Sequence, residues 1–116
     1  MLRTVLKSKI HKATVTQARL DYEGSITIDE MLMKKADLLP GEKVEVFNMN
    51  NGSRFETYVI KGKKNSRVIC LNGPAAHLGS VGDKVIIVSY VLVEDKKVHL
   101  VKPKIVHADD RNQPRD

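Results

Sequence analysis

Gly41-Glu42-Lys43-Val44-Glu45-Val46 and Gly82-Asp83-Lys84-Val85-Ile86-Ile87 follow one pattern: glycine, acid, lysine, then a stretch with branched apolar residues at its first and third positions. Each reads as a turn leading into a strand, because glycine enters turn geometry freely and β-branched side chains suit a pleated surface. The recurrence has two readings. Gly-acid turns ahead of strands are common in unrelated proteins, and two related halves of one barrel would give the same pattern.

The flanking sequence is punctuated like a β protein. Ala13-Thr14-Val15-Thr16 and Ser25-Ile26-Thr27-Ile28 are short, alternating and rich in β-branched residues. Asp29 to Ala36 reads as one short helix, with Asp29 capping its start, Lys34 and Lys35 at its negative end, and Pro40-Gly41 stopping it. Val44 to Phe47 and Arg54 to Ile60 read as strands joined by a tight hairpin at Asn51-Gly52, where both residues tolerate positive φ. Lys61 to Ser66 is a polar turn. Val68 to Leu71 is a strand ended by Asn72-Gly73-Pro74, Val85 to Val93 is a long apolar strand, and Val98 to Val101 reads as another. Residues 109–116 are polar and lack apolar anchors, which predicts a loose tail. Many short strands with few helical segments predict a mostly-β barrel with one or two short helices.

The chain has 116 residues, one domain's length, and its 41% hydrophobic content suffices for a core built from aliphatic side chains, since there is no Trp. Net charge is +6. No basic run of five or more occurs and aromatics are too few for base stacking, so an anionic small molecule fits the charge at least as well as nucleic acid does. Cys70 is the only cysteine and lies in the apolar run Val68-Ile69-Cys70-Leu71, which predicts a buried thiol and a reducing, cytoplasmic setting. The N-terminus carries Arg3, Lys7 and Lys9 without a long apolar core, and no run approaches a membrane span.

Common site patterns fail. There is no Gly-rich phosphate loop and no Gly-x-Ser-x-Gly elbow, and His11, His77, His99 and His107 lack zinc-site spacing. The informative stretch runs from Lys9-Ile10-His11 to Tyr22-Glu23-Gly24-Ser25. A serine hydroxyl can attack the carbonyl before it and turn an amide into an ester, and glycine at 24 permits strained backbone there. β-Elimination then cuts the chain and leaves dehydroalanine, which hydrolyses to a pyruvoyl cap. That cap supplies an electrophilic carbonyl that no amino-acid side chain has. An amine condenses with it to an imine, which accepts the electrons released as CO2 leaves, a role bound cofactors fill elsewhere.

In company with other blocks, this stretch resembles the aspartate 1-decarboxylase family. The matching residues are Lys7-Ser8-Lys9-Ile10-His11, Val15-Thr16-Gln17-Ala18, Asp21-Tyr22-Glu23-Gly24-Ser25, Asn51 to Tyr58, Asn72-Gly73-Pro74-Ala75-Ala76-His77, and Gly82-Asp83 with Val85-Ile86-Ile87. They run from Met1 to about Val93, beyond which the likeness fades. The resemblance implies a double-psi β-barrel, cut into a β chain 1–24 and an α chain 25–116, and a homotetramer of four of each with sites at subunit boundaries. It implies conversion of L-aspartate to β-alanine and CO2 for pantothenate synthesis by a pyruvoyl group made from Ser25, with no metal and no PLP. A separate maturation factor is compatible with this scheme.

The resemblance also assigns roles. Tyr58 matches the proton donor, Arg54 the carboxylate clamp, and Lys9 a second positive charge. Thr57 matches a residue that binds substrate and aids cleavage. Asn72, Gly73 and Ala75 match a stretch contacting substrate or pyruvoyl, and His11 and Tyr22 match supporting positions. Pro74 stands where the family mostly has alanine and removes one backbone N–H from the pocket; Phe47 stands where some members carry Trp.

Taken singly, Tyr22 and Tyr58 read as core-edge tyrosines, Lys9 as surface charge and His77 as a loop histidine. Joint occurrence in register favours Ser25, Arg54 and Tyr58 as site residues and leaves His77 a loop histidine. The rival function is a small basic DNA-binding regulator built on swapped hairpins. It would spend the charge on phosphates and give Gly24-Ser25 no purpose.

Overall fold

Two long strand runs set the architecture of the computed structural model, which describes residues 1–115. The first joins β1 (Leu2–Thr14) through Val15-Thr16 to β2 (Gln17–Arg19), and the second is β5 (Arg54–Gly62). β5 lies antiparallel to β4 (Lys43–Asn48) along its first half and parallel to β3 (Ser25–Asp29) along its second. The first run repeats this: β1 is antiparallel to β7 (Lys84–Glu94), and β2 is parallel to β6 (Ile69–Asn72). β3 pairs with β6 and β4 with β7, both antiparallel, so the strands close into a ring.

The Gly-acid turns lock the crossings. Gly41 N donates to Val59 O at 2.8 Å and Val59 N to Glu42 O at 3.0 Å. Gly82 N donates to Val15 O at 2.8 Å and Val15 N to Asp83 O at 2.9 Å. Each turn thus grips one buried valine of a long run, which is what the sequence repeat encodes. Gly41 and Gly82 take φ of +84° and +95°, a conformation glycine adopts without strain. The ring encloses an aliphatic core that includes Ile10, Val15, Ile26, Ile28, Val44, Val46, Val59, Ile69, Leu71, Val85 and Ile87. Cys70 is buried with them.

The predicted helix is α1 (Glu30–Lys35), capped by the Asp29 carboxylate on Met31 N at 2.9 Å. A 3-10 helix, Gly73–His77, follows β6 at the matching place in the second half.

Several expectations need correction. The link between β4 and β5 is wider than a two-residue hairpin: Asn48 Oδ1 accepts from Asn50 N at 2.8 Å, and only Gly52 of the expected pair takes positive φ. Val98 to Val101 is no strand, because a 3-10 helix covers Asp95–Leu100 and leaves only Val101 extended. The predicted loose tail is docked through residue 115, while Asp116 lies outside the described residues. β8 (Lys104–Ala108) pairs parallel with β1, and β9 (Pro114–Arg115) pairs with β8. Between them the buried Asn112 side chain accepts from Thr14 N at 2.7 Å and donates to Thr14 O and Arg67 O, each at 2.9 Å. The anchor is polar, so a search for apolar anchors overlooks it.

Candidate active site

Ser25 opens β3 and pairs with Asn72, the last residue of β6, and both side chains are shut off from solvent. Strand alternation turns Ser25, Thr27, Cys70 and Asn72 towards one another across the pair. Ser25 Oγ–H donates to the Glu23 carbonyl at 2.9 Å. The same oxygen accepts from Nδ2 of Asn72 at 3.0 Å. Nδ2 also donates to Thr27 Oγ1 at 2.9 Å, and Oδ1 accepts the Cys70 thiol at 3.1 Å. Burial pushes the Cys70 pKa up against a smaller opposing pull from Arg19, so the thiol keeps its proton.

Gly73 brings the next turn onto this group. Its φ of +65° suits glycine, and a Cβ there would lie 2.7 Å from the Tyr22 carbonyl oxygen and 2.8 Å from Gly24 N and Cα. The left-handed conformation therefore belongs to Gly73 and not to Gly24. Pro74 sits in the first turn of its 3-10 helix, where an N–H has no helical partner, so its missing donor costs the helix nothing. Its Cδ faces Gly24.

A cleft of about 330 Å³ opens here, lined by Gly24, Ser25, Thr57, Tyr58, Pro74 and Ala75 with apolar walls from Phe55 and Leu78. The exposed Gly24 and buried Ser25 place their shared peptide bond at the cleft's edge. Tyr58 lines the cleft and remains 39% exposed.

The fold therefore gathers Gly24, Ser25, Thr57, Tyr58, Asn72, Gly73, Pro74 and Ala75, and leaves the other four residues outside the cleft of the same chain. Arg54 lies over the Phe47 ring, 3.9 Å from its centroid, an arrangement that fixes the guanidinium by cation–π attraction. Lys9 sits mid-strand between Val88 and Ile105. His11 meets His107 edge-on at 5.5 Å in a separate basic cleft with Lys12 and Arg115. Burial lowers the His11 pKa, and the neighbouring His107, Lys12 and Lys9 lower it further. The Tyr22 ring carries Arg19 at 4.9 Å.

The sequence marks Cys70 only as a buried thiol and gives no sign of Thr27; each stands two residues from Ser25 or Asn72 on its strand, and the β3–β6 register is needed to bring the four together. Among the described residues, no group of three or more His, Cys, Asp or Glu is placed to hold a metal.

The barrel is similar to the crystal structure of the rationally designed mkDPBB_sym_86 protein, with TM-score 0.50 and 17% identity over 70% of this chain and 94% of that one. The fold is a double-psi β-barrel, here with a buried serine at the head of one strand. The profile of the family described as Aspartate decarboxylase matches residues 1–115. Curated relatives called Aspartate 1-decarboxylase are close across nearly their whole length. The one from Caldicellulosiruptor saccharolyticus is 63% identical, over 97% of this chain and 88% of its own. Those from Desulfitobacterium hafniense and Thermoanaerobacter pseudethanolicus are 56% and 54% identical over 98% of this chain, and over 90% and 97% of their own. The chain belongs to the aspartate decarboxylase family.

Proposed function

We propose that this chain is the precursor of a pyruvoyl-dependent aspartate 1-decarboxylase that cuts itself between Gly24 and Ser25. Family membership supports the activity. The observation that carries the processing step is the solvent-excluded Ser25 hydroxyl, held between the Glu23 carbonyl and the Asn72 amide at the end of a cleft.

Ser25 Oγ forms a bond to the Gly24 carbonyl carbon while the Gly24–Ser25 amide bond breaks and the freed nitrogen takes up the proton. The Ser25 Cα proton is then removed, the Cβ–Oγ bond breaks, and its electron pair stays on Oγ as the Gly24 carboxylate departs. One water enters and ammonia leaves. Asn72 donates to the oxygen that would carry this charge, and Thr57, which lines the same cleft, has a hydroxyl suited to the first oxyanion.

The resulting ketone at position 25 fits the space: it is small, buried, faces an amide donor, and is crowded by a turn that only glycine at 73 allows. A pyruvoyl group there supplies a carbonyl that captures the substrate amine and accepts the electrons released with CO2. Tyr58 returns a proton to the substrate carbon from the cleft wall, a function that contributes roughly 10²–10⁴-fold. Gly73, Pro74 and Ala75 form the floor beneath the substrate.

L-Aspartate carries two carboxylates, which Arg54 and Lys9 are suited to bind through charge-assisted hydrogen bonds. Both lie outside the Ser25 cleft of their own chain, as do His11 and the Tyr22 ring. That separation supports a site completed by a neighbouring copy in a homotetramer of four α chains (25–116) and four β chains (1–24). The scheme uses no metal and no PLP, runs in the cytoplasm, yields β-alanine for pantothenate synthesis, and accommodates a maturation factor that accelerates the cut.

Ser25→Ala is the direct test. The variant should fold, stay a single chain on a denaturing gel, and release no CO2 from aspartate. CO2 release by that variant contradicts the pyruvoyl mechanism.

A further inference from the structure

Cys70 is a buried free thiol that the mechanism above does not use. We infer that Cys70 is a positioning residue for self-cleavage: its thiol fixes which end of the Asn72 amide meets Ser25. The inference rests on the processing reaction proposed above and assigns it a further participant.

The argument concerns hydrogen-bond direction. An asparagine amide has nearly the same shape in either of two orientations, and only its partners distinguish them. Two of the three partners, Ser25 Oγ and Thr27 Oγ1, are hydroxyls, which both donate and accept. They accept either orientation. The third partner is the Cys70 thiol, 3.1 Å from Asn72 Oδ1. Its alternative acceptor, the Leu71 carbonyl, is 4.0 Å away. A thiol is a weak donor and a weak acceptor, but this one has no other acceptor so near, so it favours the orientation with Oδ1 towards sulfur and Nδ2 towards the two hydroxyls. Burial keeps the thiol protonated, so this selection holds at neutral pH.

In the opposite orientation, Oδ1 would face Ser25 and demand its proton, which now goes to the Glu23 carbonyl. Asn72 would then offer no N–H to Oγ. That oxygen receives the electron pair when the Cβ–Oγ bond breaks, and it would carry the charge without a donor. Cys70 touches none of the reacting atoms and acts only through Asn72.

The test compares Cys70→Ala with Cys70→Val, following cleavage of freshly purified precursor over time by intact mass. Both remove the donor, and valine fills the volume of the thiol. Each should cleave about 3-fold more slowly than wild type, the low end of what one neutral hydrogen bond contributes. Thermal midpoints in the uncleavable Ser25→Ala background separate this effect from a packing defect, which would slow alanine and spare valine. A wild-type rate in valine, or in alanine should valine fail to fold, overturns the role. A wild-type chain that never cleaves overturns the processing reaction itself, which is a different and recognisable failure.

Discussion

Asp29 and Asn72 hold equivalent places at opposite ends of the β3–β6 pair, and they do opposite things. Each is the last residue of its strand and stands directly before a short helix. The buried Asp29 carboxylate accepts only backbone N–H groups: Met31 at 2.9 Å, Asn65 at 2.9 Å and Arg67 at 2.7 Å. It holds the helix start and a turn in which Asn65 and Arg67 both take φ of +64°. Asn72 makes no capping bond with its side chain and turns it to Ser25 and Thr27 instead. One end is committed to stability. At the other, an amide replaces the carboxylate, and a donor becomes available where a serine oxygen accumulates charge in the proposed cleavage.

Substitutions at the two ends should therefore separate folding from processing. Asp29→Ala removes the acceptor shared by three backbone N–H groups and should lower stability by about 3 kcal/mol, read from urea unfolding in the Ser25→Ala background. Asn112 supports the same end through Thr14 and Arg67, and Asn112→Ala should cost about 2 kcal/mol in that assay. Asn72→Ala should slow cleavage about tenfold, equivalent to about 1.4 kcal/mol in the barrier, while lowering stability less than Asp29→Ala does. If Asn72→Ala unfolds the chain as readily as Asp29→Ala, the division between the two ends is wrong.

The smallest expected effect distinguishes the two Gly-acid turns. Glu42 accepts from Leu39 N at 3.1 Å and from Lys7 Nζ at 2.7 Å. Asp83 accepts from Ser80 N at 2.9 Å and from Asn48 Nδ2 at 2.9 Å. Those hydrogen bonds, chiefly the one from Asn48, hold the Asp83 carboxyl below its ordinary value of 3.8. A pKa depressed by folding gives stability that is complete above the unfolded value and lost as pH falls through the folded one. Wild type should therefore lose more of its thermal midpoint than Asp83→Asn as pH drops through and below 3.8. Identical acid limbs would remove this role.

The sequence was most legible where backbone demand is local. Paired Gly-acid turns, the Asp29 cap and the apolar strands all follow from residue type within a few positions. β1 was legible only at its end because bulges at Leu6/Ser8 and Ile10/Ala13, with Lys12 at φ +64°, break its alternation. β8 and the Asn112 anchor depend on contacts with residues near the other terminus, which no local pattern announces. At the site, residues of β3, β5 and the turn after β6 line one cleft. Lys9, His11, Tyr22 and Arg54 do not, because one chain closes a barrel without bringing them to Ser25. Cys70 was legible as a buried thiol but, like Thr27, not as a neighbour of Ser25 and Asn72, because that depends on strand register.

Intact mass of the purified wild-type chain, before and after a carbonyl-directed reagent such as hydroxylamine, bears most directly on the central claim. The account predicts two fragments divided before residue 25, with the larger one gaining the reagent at its N-terminus. A single chain that decarboxylates aspartate with an unmodified serine at that position would contradict it.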